Sequence, residues 1–227
     1  MDPWPPSTRL TYALIGNFRG DIFGNAKMQW LRQDDRYQVQ MDIRLAVFFQ
    51  LKLTSQGQVT GAGLLPSRYE EVSPRRRSQV SIEGQQVRLS DGQTLPAPEG
   101  VQDTASQFME LAHRFSTGRD PLKVGSEVAL WLARPNGVEL LTYDIVAEEM
   151  LDTPKLGPLQ TFRLKPRPLA NQRGNIVVEL WFAPSLQYLP VRVLVTQGDG
   201  NFVDLMVETV EQTTPDTAPN DSVQPKL

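Results

Sequence analysis

Tyr37-Gln38-Val39-Gln40-Met41-Asp42-Ile43-Arg44-Leu45-Ala46-Val47-Phe48-Phe49-Gln50-Leu51-Lys52-Leu53 alternates over most of its length. Its odd positions, Tyr37, Val39, Met41, Ile43, Leu45, Val47, Phe49, Leu51 and Leu53, are all apolar, while the even ones include Gln38, Gln40, Asp42, Arg44, Gln50 and Lys52. A period of two sorts the two sets onto opposite faces of a β-strand; a helix would scatter both around its circumference. One continuous strand would run roughly 55 Å. A bend or bulge is therefore expected near Ala46-Val47-Phe48, where the even face also turns apolar.

Strand-like segments continue outward in both directions. Leu10, Tyr12 and Leu14 alternate in one, and Ala26, Met28 and Trp30 in the next. Shorter ones lie around 68–72, 78–83 and 86–90, and longer ones at 127–134, 138–151, 159–165, 175–183, 191–197 and 202–211. Turn residues separate them: Pro135-Asn136-Gly137, Asp91-Gly92 and Gly198-Asp199-Gly200-Asn201. Asn-Gly is a strong hairpin signal, because a type I′ turn needs φ > 0 at both central positions. Gly16, Gly20 and Gly24 surround another turn and are expected to relieve steric crowding there. Successive hairpins make an antiparallel meander.

One helix interrupts this pattern. Thr104-x-x-Gln107 has the form of a capping box, with Asp103 as an alternative N-cap. Ala105, Phe108, Met109, Ala112 and Phe115 follow at helical spacing, and Gly118 can close the helix. It is expected to bury one apolar stripe against the sheet or across the open end of a barrel.

The prolines mark both ends. Pro3, Pro5 and Pro6 make residues 1–6 look like a linker remnant, and 212–227, with Pro215, Pro219 and Pro225 among polar residues, look like a disordered tail. Residues 7–211 are left as a single β domain, a common size for one all-β unit in a chain of 227 residues.

Composition narrows the chemistry. No cysteine means no disulfide, thiolate nucleophile, iron–sulfur cluster or thiolate zinc site, and one histidine leaves no site that needs two. A formal net charge of −3 argues against a nucleic-acid partner. The run Arg75-Arg76-Arg77 reads first as a solvated strand end, and more sharply as a contact to phosphate or a lipid headgroup. No apolar stretch reaches the length of a membrane helix. The first residues lack the basic and apolar regions of a signal peptide, so membrane attachment is expected only through a removed N-terminal segment, if any.

Candidate catalytic groups are sparse. His113 would have to serve any serine hydrolase as its base, but neither Ser106 nor Ser116 sits in a nucleophile elbow. A partly exposed histidine near a helix C-terminus is the plainer reading. Asp34-Asp35, Glu70-Glu71 and Glu148-Glu149 are adjacent pairs, which a strand splits between its two faces. Asp199-Gly200-Asn201 with Asp204 is half a calcium loop without the closing glutamate. No glycine-rich phosphate loop is present. The expectation is a protein without catalytic residues, metal or cofactor.

The aromatics point elsewhere. Trp131 and Trp181 lie in segments apolar at both parities, which implies strands covered on both sides. Either they are packed core or they line a greasy cavity. The candidate lining of such a cavity is Trp30, Phe48, Trp131, Tyr143 and Trp181.

Residues 178–193, Val-Glu-Leu-Trp-Phe-Ala-Pro-Ser-Leu-Gln-Tyr-Leu-Pro-Val-Arg-Val, resemble the signature of a bacterial family, domain of unknown function 3108. Leu10-Thr11-Tyr12, the glycine-rich turn after it, the start of the helix at 103–108 and Leu156-Gly157-Pro158-Leu159 match as well, so the resemblance runs from about Ser7 to Glu211. It implies an exported, mainly periplasmic β-protein and supplies no catalytic residue. A more distant likeness, to periplasmic lipoprotein carriers, is one of fold only.

The expectation is a mainly β fold, an antiparallel meander curved into a barrel or half-barrel with one amphipathic helix. The expected function is a non-catalytic periplasmic module that binds or carries an apolar or amphipathic envelope ligand. The alternative is a scaffolding domain that recognises an envelope protein or a glycan through its outer face or a sheet edge. A carrier would hold its unpaired apolar surface inside, and a scaffold outside.

Overall fold

A computed structural model describes residues 4–45, 49–169, 176–198 and 200–213. Its strands are β1 (Ser7–Asn17), β2 (Asp21–Gln33), β3 (Arg36–Leu45), β4 (Phe49–Thr60), β5 (Gly63–Ser73), β6 (Arg76–Glu83), β7 (Gln86–Arg88), β8 (Thr94–Pro96), β9 (Gln102–Asp103), β10 (Glu127–Arg134), β11 (Gly137–Thr153), β12 (Gly157–Pro166), β13 (Ile176–Ala183), β14 (Leu189–Gln197) and β15 (Asn201–Thr213). The helix α1 (Ser106–Ser116) lies between β9 and β10, and a 3₁₀ turn (Pro184–Leu186) follows β13.

All the strands form one sheet, in the order β8-β7-β6-β5-β4-β3-β2-β1-β15-β14-β13-β12-β11-β10-β9. Two meanders are sewn together where β15 returns beside β1, from Ser7 opposite Thr213 to Asn17 opposite Phe202. Every pairing is antiparallel except the short one of β9 with β10. The sheet does not close: its edge strands, β8 and β9, stay unpaired with each other. Their three and two residues limit the exposed backbone that an edge offers.

The stretch Tyr37–Leu53 is not one bent strand. It folds back on itself, with Leu45 opposite Phe49, Ile43 opposite Leu51 and Met41 opposite Leu53. Odd residues pair with odd residues, so the apolar face continues across the reversal without changing sides. Tyr37, Val39, Met41 and Leu53 are buried. The expected bend at Ala46–Phe48 falls outside the described residues. A hairpin satisfies the same alternation with half the reach, which is why periodicity alone reads as a long strand.

The turn at Pro135-Asn136-Gly137 also differs from expectation. Arg134 pairs with Gly137, so the central residues are Pro135 and Asn136. The proline ring fixes φ near −65° and forbids a type I′ turn. Gly137 instead opens β11 at φ 151°. At the base of the β1–β2 hairpin, glycine is needed for closeness: a Cβ on Gly24 would stand 2.0 Å from the Arg44 carbonyl oxygen.

The helix runs inside the coil of the sheet. Nine of its residues are buried, among them Ser106, Gln107, Glu110 and His113 as well as Phe108, Met109, Leu111, Ala112 and Phe115. The expectation of a single buried stripe is thus corrected: with sheet around it, the polar side of α1 is enclosed too. Phe115 meets Phe182 of β13 edge to face at 5.3 Å. The helix start is one residue from the expected box. Asp103 Oδ1 accepts from the Ser106 amide at 2.8 Å, and Ser106 Oγ accepts from the Asp103 amide at 2.9 Å. Gly118 closes the helix at φ 70°.

The chain before β1 joins this core. Trp4 is only 6% exposed, and the Trp30 indole donates to the Pro5 carbonyl at 3.0 Å. Residues 4–6 therefore pack against the domain, where a trailing linker was expected. Gln212 and Thr213 likewise belong to β15, and the rest of the expected tail lies outside the described residues.

Candidate functional site

Of the five aromatics expected to line a cavity, the four that are described, Trp30, Trp131, Tyr143 and Trp181, do not come together. Trp30 and Tyr143 face inward and are buried, with the Tyr143 hydroxyl donating to Gln107 Oε1 at 3.2 Å. Phe48 lies outside the described residues. Trp131 stands between buried Leu130 and Leu132, so it points outward and is 37% exposed. Trp181 also faces away from the helix, because its neighbours Leu180 and Phe182 turn inward and Phe182 contacts Phe115. Where both parities are apolar, sequence does not say which one is inside.

Trp181 is buried by charge instead. Arg163 of β12 and Arg192 of β14 stand opposite it on the flanking strands. Their guanidinium carbons lie 5.2 and 4.6 Å from the indole centroid. Glu179 accepts from Arg163 at 2.7 Å, and Asp204 takes both nitrogens of Arg192 at 2.9 and 2.7 Å. The Trp181 N–H donates to Glu149. The bond to Asp204 raises the Arg192 pKa further. Every charge in this cluster has a partner, so it acts as a clamp across β11 to β15.

The interior holds a second polar network. Ser55 of β4 donates to Asp103 Oδ2 at 2.6 Å and lies 3.0 Å from the Tyr37 hydroxyl. Burial pushes the Asp103 carboxyl up to about 6, against the bonds from Ser55, Ser106 and Ala105 that favour its charge. Glu110 accepts from the Leu64 amide and from Arg114, both at 2.8 Å, and from Arg119. A Cβ on Gly63 would approach its carboxylate to 2.6 Å, at a φ of 138°. His113 is 2% exposed and stacked on Trp4, which corrects the expectation of a partly exposed histidine. Asp103, Glu110 and His113 are each buried, and the bonds of this network fasten β9 to β4 and α1 to β5. Among the described residues no three histidine or carboxylate side chains gather as metal ligands.

A concave surface that a ligand can reach lies outside. A groove of about 1390 Å³ runs along one rim of the sheet, between the β2–β3 turn, the β4–β5 hairpin and the segment 96–101. Leu31 and Leu65 stand in it 46% and 50% exposed, beside Pro66 and Ile82. Its charged lining is Arg32 and Arg36 against Glu99, with glutamines such as Gln58 between them. Ser7 and Ser67 are in its lining, and no histidine is. Such a surface, with apolar, amide and charged groups side by side, can hold an amphipathic ligand in place.

The groove was missed in the sequence. Its signal was faint: Leu31 beside buried Trp30, and Leu65 beside buried Leu64, are apolar residues at the outward parity.

An open antiparallel sheet coiled around one buried helix defines a β-barrel-like protein. Residues 9–207 match the family described as protein of unknown function, DUF3108, and the chain belongs to that family. Among solved structures it is similar to a β-barrel-like protein of the domain of unknown function DUF1849 from Brucella abortus. The two are 11% identical with a TM-score of 0.60, over 94% of this chain and 100% of the other. That likeness concerns the fold alone. No curated protein matches the sequence.

Proposed function

We propose that this chain is a non-catalytic binding module of the bacterial cell envelope, and that it recognises an extended polypeptide segment in the rim groove. The observation that carries the proposal is the placement of apolar surface. The interior, where a carrier would hold its ligand, is occupied by α1 and Trp4, while Leu31 and Leu65 stand exposed in the groove. The alternative of recognition through an outer surface is therefore preferred to the interior carrier.

The lining suggests the ligand chemistry. Apolar side chains alternate with amides and guanidinium groups, which suits a strand-like segment with alternating apolar and acidic residues. A glycan is a weaker fit, since the aromatic ring in the lining, Tyr37, is 4% exposed and unable to stack on a sugar. The periplasmic setting rests on the family resemblance of 178–193. Peptide selection against the purified domain tests the proposal. Enriched peptides should bind the wild type and lose most of their affinity for Leu65→Asp. Equal binding to both proteins, or recovery of the protein with a lipid inside it by native mass spectrometry, would overturn it.

A further inference from the structure

Along the rim groove the strand register brings a row of side chains to one face. Gln33 of β2 stands opposite Arg36 of β3, Arg36 opposite Gln58 of β4, and Gln58 opposite Leu65 of β5. Residues directly opposite in antiparallel strands share a face, and all four are exposed. Beyond Leu65 the sheet gives way to the segment 96–101. β6 pairs with β5 only from Arg68 onward, so the start of β5 has an edge to spare. Gln102 donates to the carbonyls of both Leu64 and Gly100, at 3.0 and 3.2 Å, and so seats this segment along that edge. Glu99 therefore lies on the side of Leu65 away from Arg36.

The groove holds charges of both signs. Arg36 and Glu99 are both exposed, and among the described residues neither side chain takes part in an ion pair or a hydrogen bond. Arg32, the other charged residue of the lining, is half-buried, and its Nε donates to the Asp34 carbonyl at 3.1 Å. Asp34 and Asp35 of the β2–β3 turn stand outside the lining. One accessible charge of each sign thus flanks an exposed leucine. Arg36 and Leu65 are two strands apart, roughly 10 Å, with the Gln58 amide between them.

From this arrangement we infer the pattern that the partner carries: an acidic and a basic residue four positions apart, with an apolar residue midway. The inference rests on the groove being a polypeptide site and adds what that site selects. In an extended segment the side chains of one face recur about every 7 Å, so three successive ones span about 14 Å. The acidic side chain meets Arg36, the apolar one packs on Leu65, and the basic one reaches Glu99. Gln33 and Gln58 offer donors and acceptors to the segment's polar groups. The opposite charges also fix the register. A slip of two residues leaves both charges unmet, and turning the segment end for end sets like charge against like.

Selection of random dodecapeptides on the purified protein and on charge-reversed variants tests the pattern. The wild type should enrich peptides with an acid, an apolar residue and a base at alternate positions, in either order. Arg36→Glu should replace the acid by a base, and Glu99→Lys the base by an acid. For a peptide enriched on the wild type, Arg36→Gln should weaken binding by up to about fivefold, as for an exposed ion pair. That difference should close in 1 M salt, where charges are screened beyond roughly 3 Å. Asp34→Asn with Asp35→Asn should select the wild-type pattern. Peptides that lose their binding to Leu65→Asp but carry no such charges would overturn this inference and leave the groove reading standing. So would a pattern that Arg36→Glu and Glu99→Lys leave unmoved, or one that shifts with the turn variant instead. Peptides that bind Leu65→Asp as tightly as the wild type, or no enrichment at all, would overturn both.

Discussion

The indole of Trp4 lies flat on the imidazole of His113, with ring centroids 4.0 Å apart and planes within 6°. Trp30 stacks on the same indole at 5.5 Å, and Tyr37 on Trp30 at 5.7 Å. A column of four rings thus ties the chain before β1 to β2, β3 and the buried helix. It fills the interior with the protein's own side chains.

Loss of this anchor should be felt throughout the domain. Trp4→Ala is expected to cost about 3–5 kcal/mol, as for other buried tryptophans. Urea unfolding would show the midpoint falling with an unchanged slope. An unchanged midpoint would mean that residues 4–6 contribute no more than a surface strand end.

Asp103 makes the stability depend on pH. Its carboxyl titrates near 3.8 in the unfolded chain and at about 6 in the folded one. Between these values the folded state keeps a proton that the unfolded state has lost. The contribution is therefore fully present below about 3.8 and is lost as pH rises through about 6. The loss amounts to about 3 kcal/mol. Asp103→Asn keeps an acceptor for the Ala105 and Ser106 amides and should flatten the unfolding midpoint across this window. A slope equal to that of the wild type would exclude Asp103 as its source.

The clamp on Trp181 should behave as a unit. A double-mutant cycle of Arg192→Gln and Trp181→Leu is expected to give a coupling of roughly 0.5–2 kcal/mol, the range for a guanidinium stacked on a shielded indole. Arg192→Lys should recover little of it, because a single ammonium does not match both Asp204 oxygens. Additive effects would show that the stacking is incidental.

Much of the architecture was legible in the residues, and the misses share a cause. Alternation at 37–53 marks strand and inward face correctly, since Tyr37, Val39 and Met41 are buried. It does not mark the reversal, because an odd-to-odd pairing leaves the pattern unbroken. The helix was legible from Phe108, Met109, Ala112 and Phe115, but its enclosure was not. That depends on contacts such as Glu110 with the Leu64 amide, 46 residues apart. Trp131 and Trp181 were misplaced because both parities of their strands are apolar. Trp181 in particular is covered by Arg163 and Arg192 from the two flanking strands, a contact that no local pattern marks. The groove assembles from turns between six strands and the segment 96–101, and no local pattern announces it.

Recognition on the outer rim, with the interior closed, is the central claim. Its most direct test is titration of a selected peptide into isotopically labelled protein, followed by amide chemical shifts. The shifts should gather at Leu31, Arg36, Gln58 and Leu65 and leave Phe108, Met109 and His113 of the helix unmoved. Shifts concentrated on α1 and Trp30, with the rim unchanged, would place the ligand inside and contradict the account.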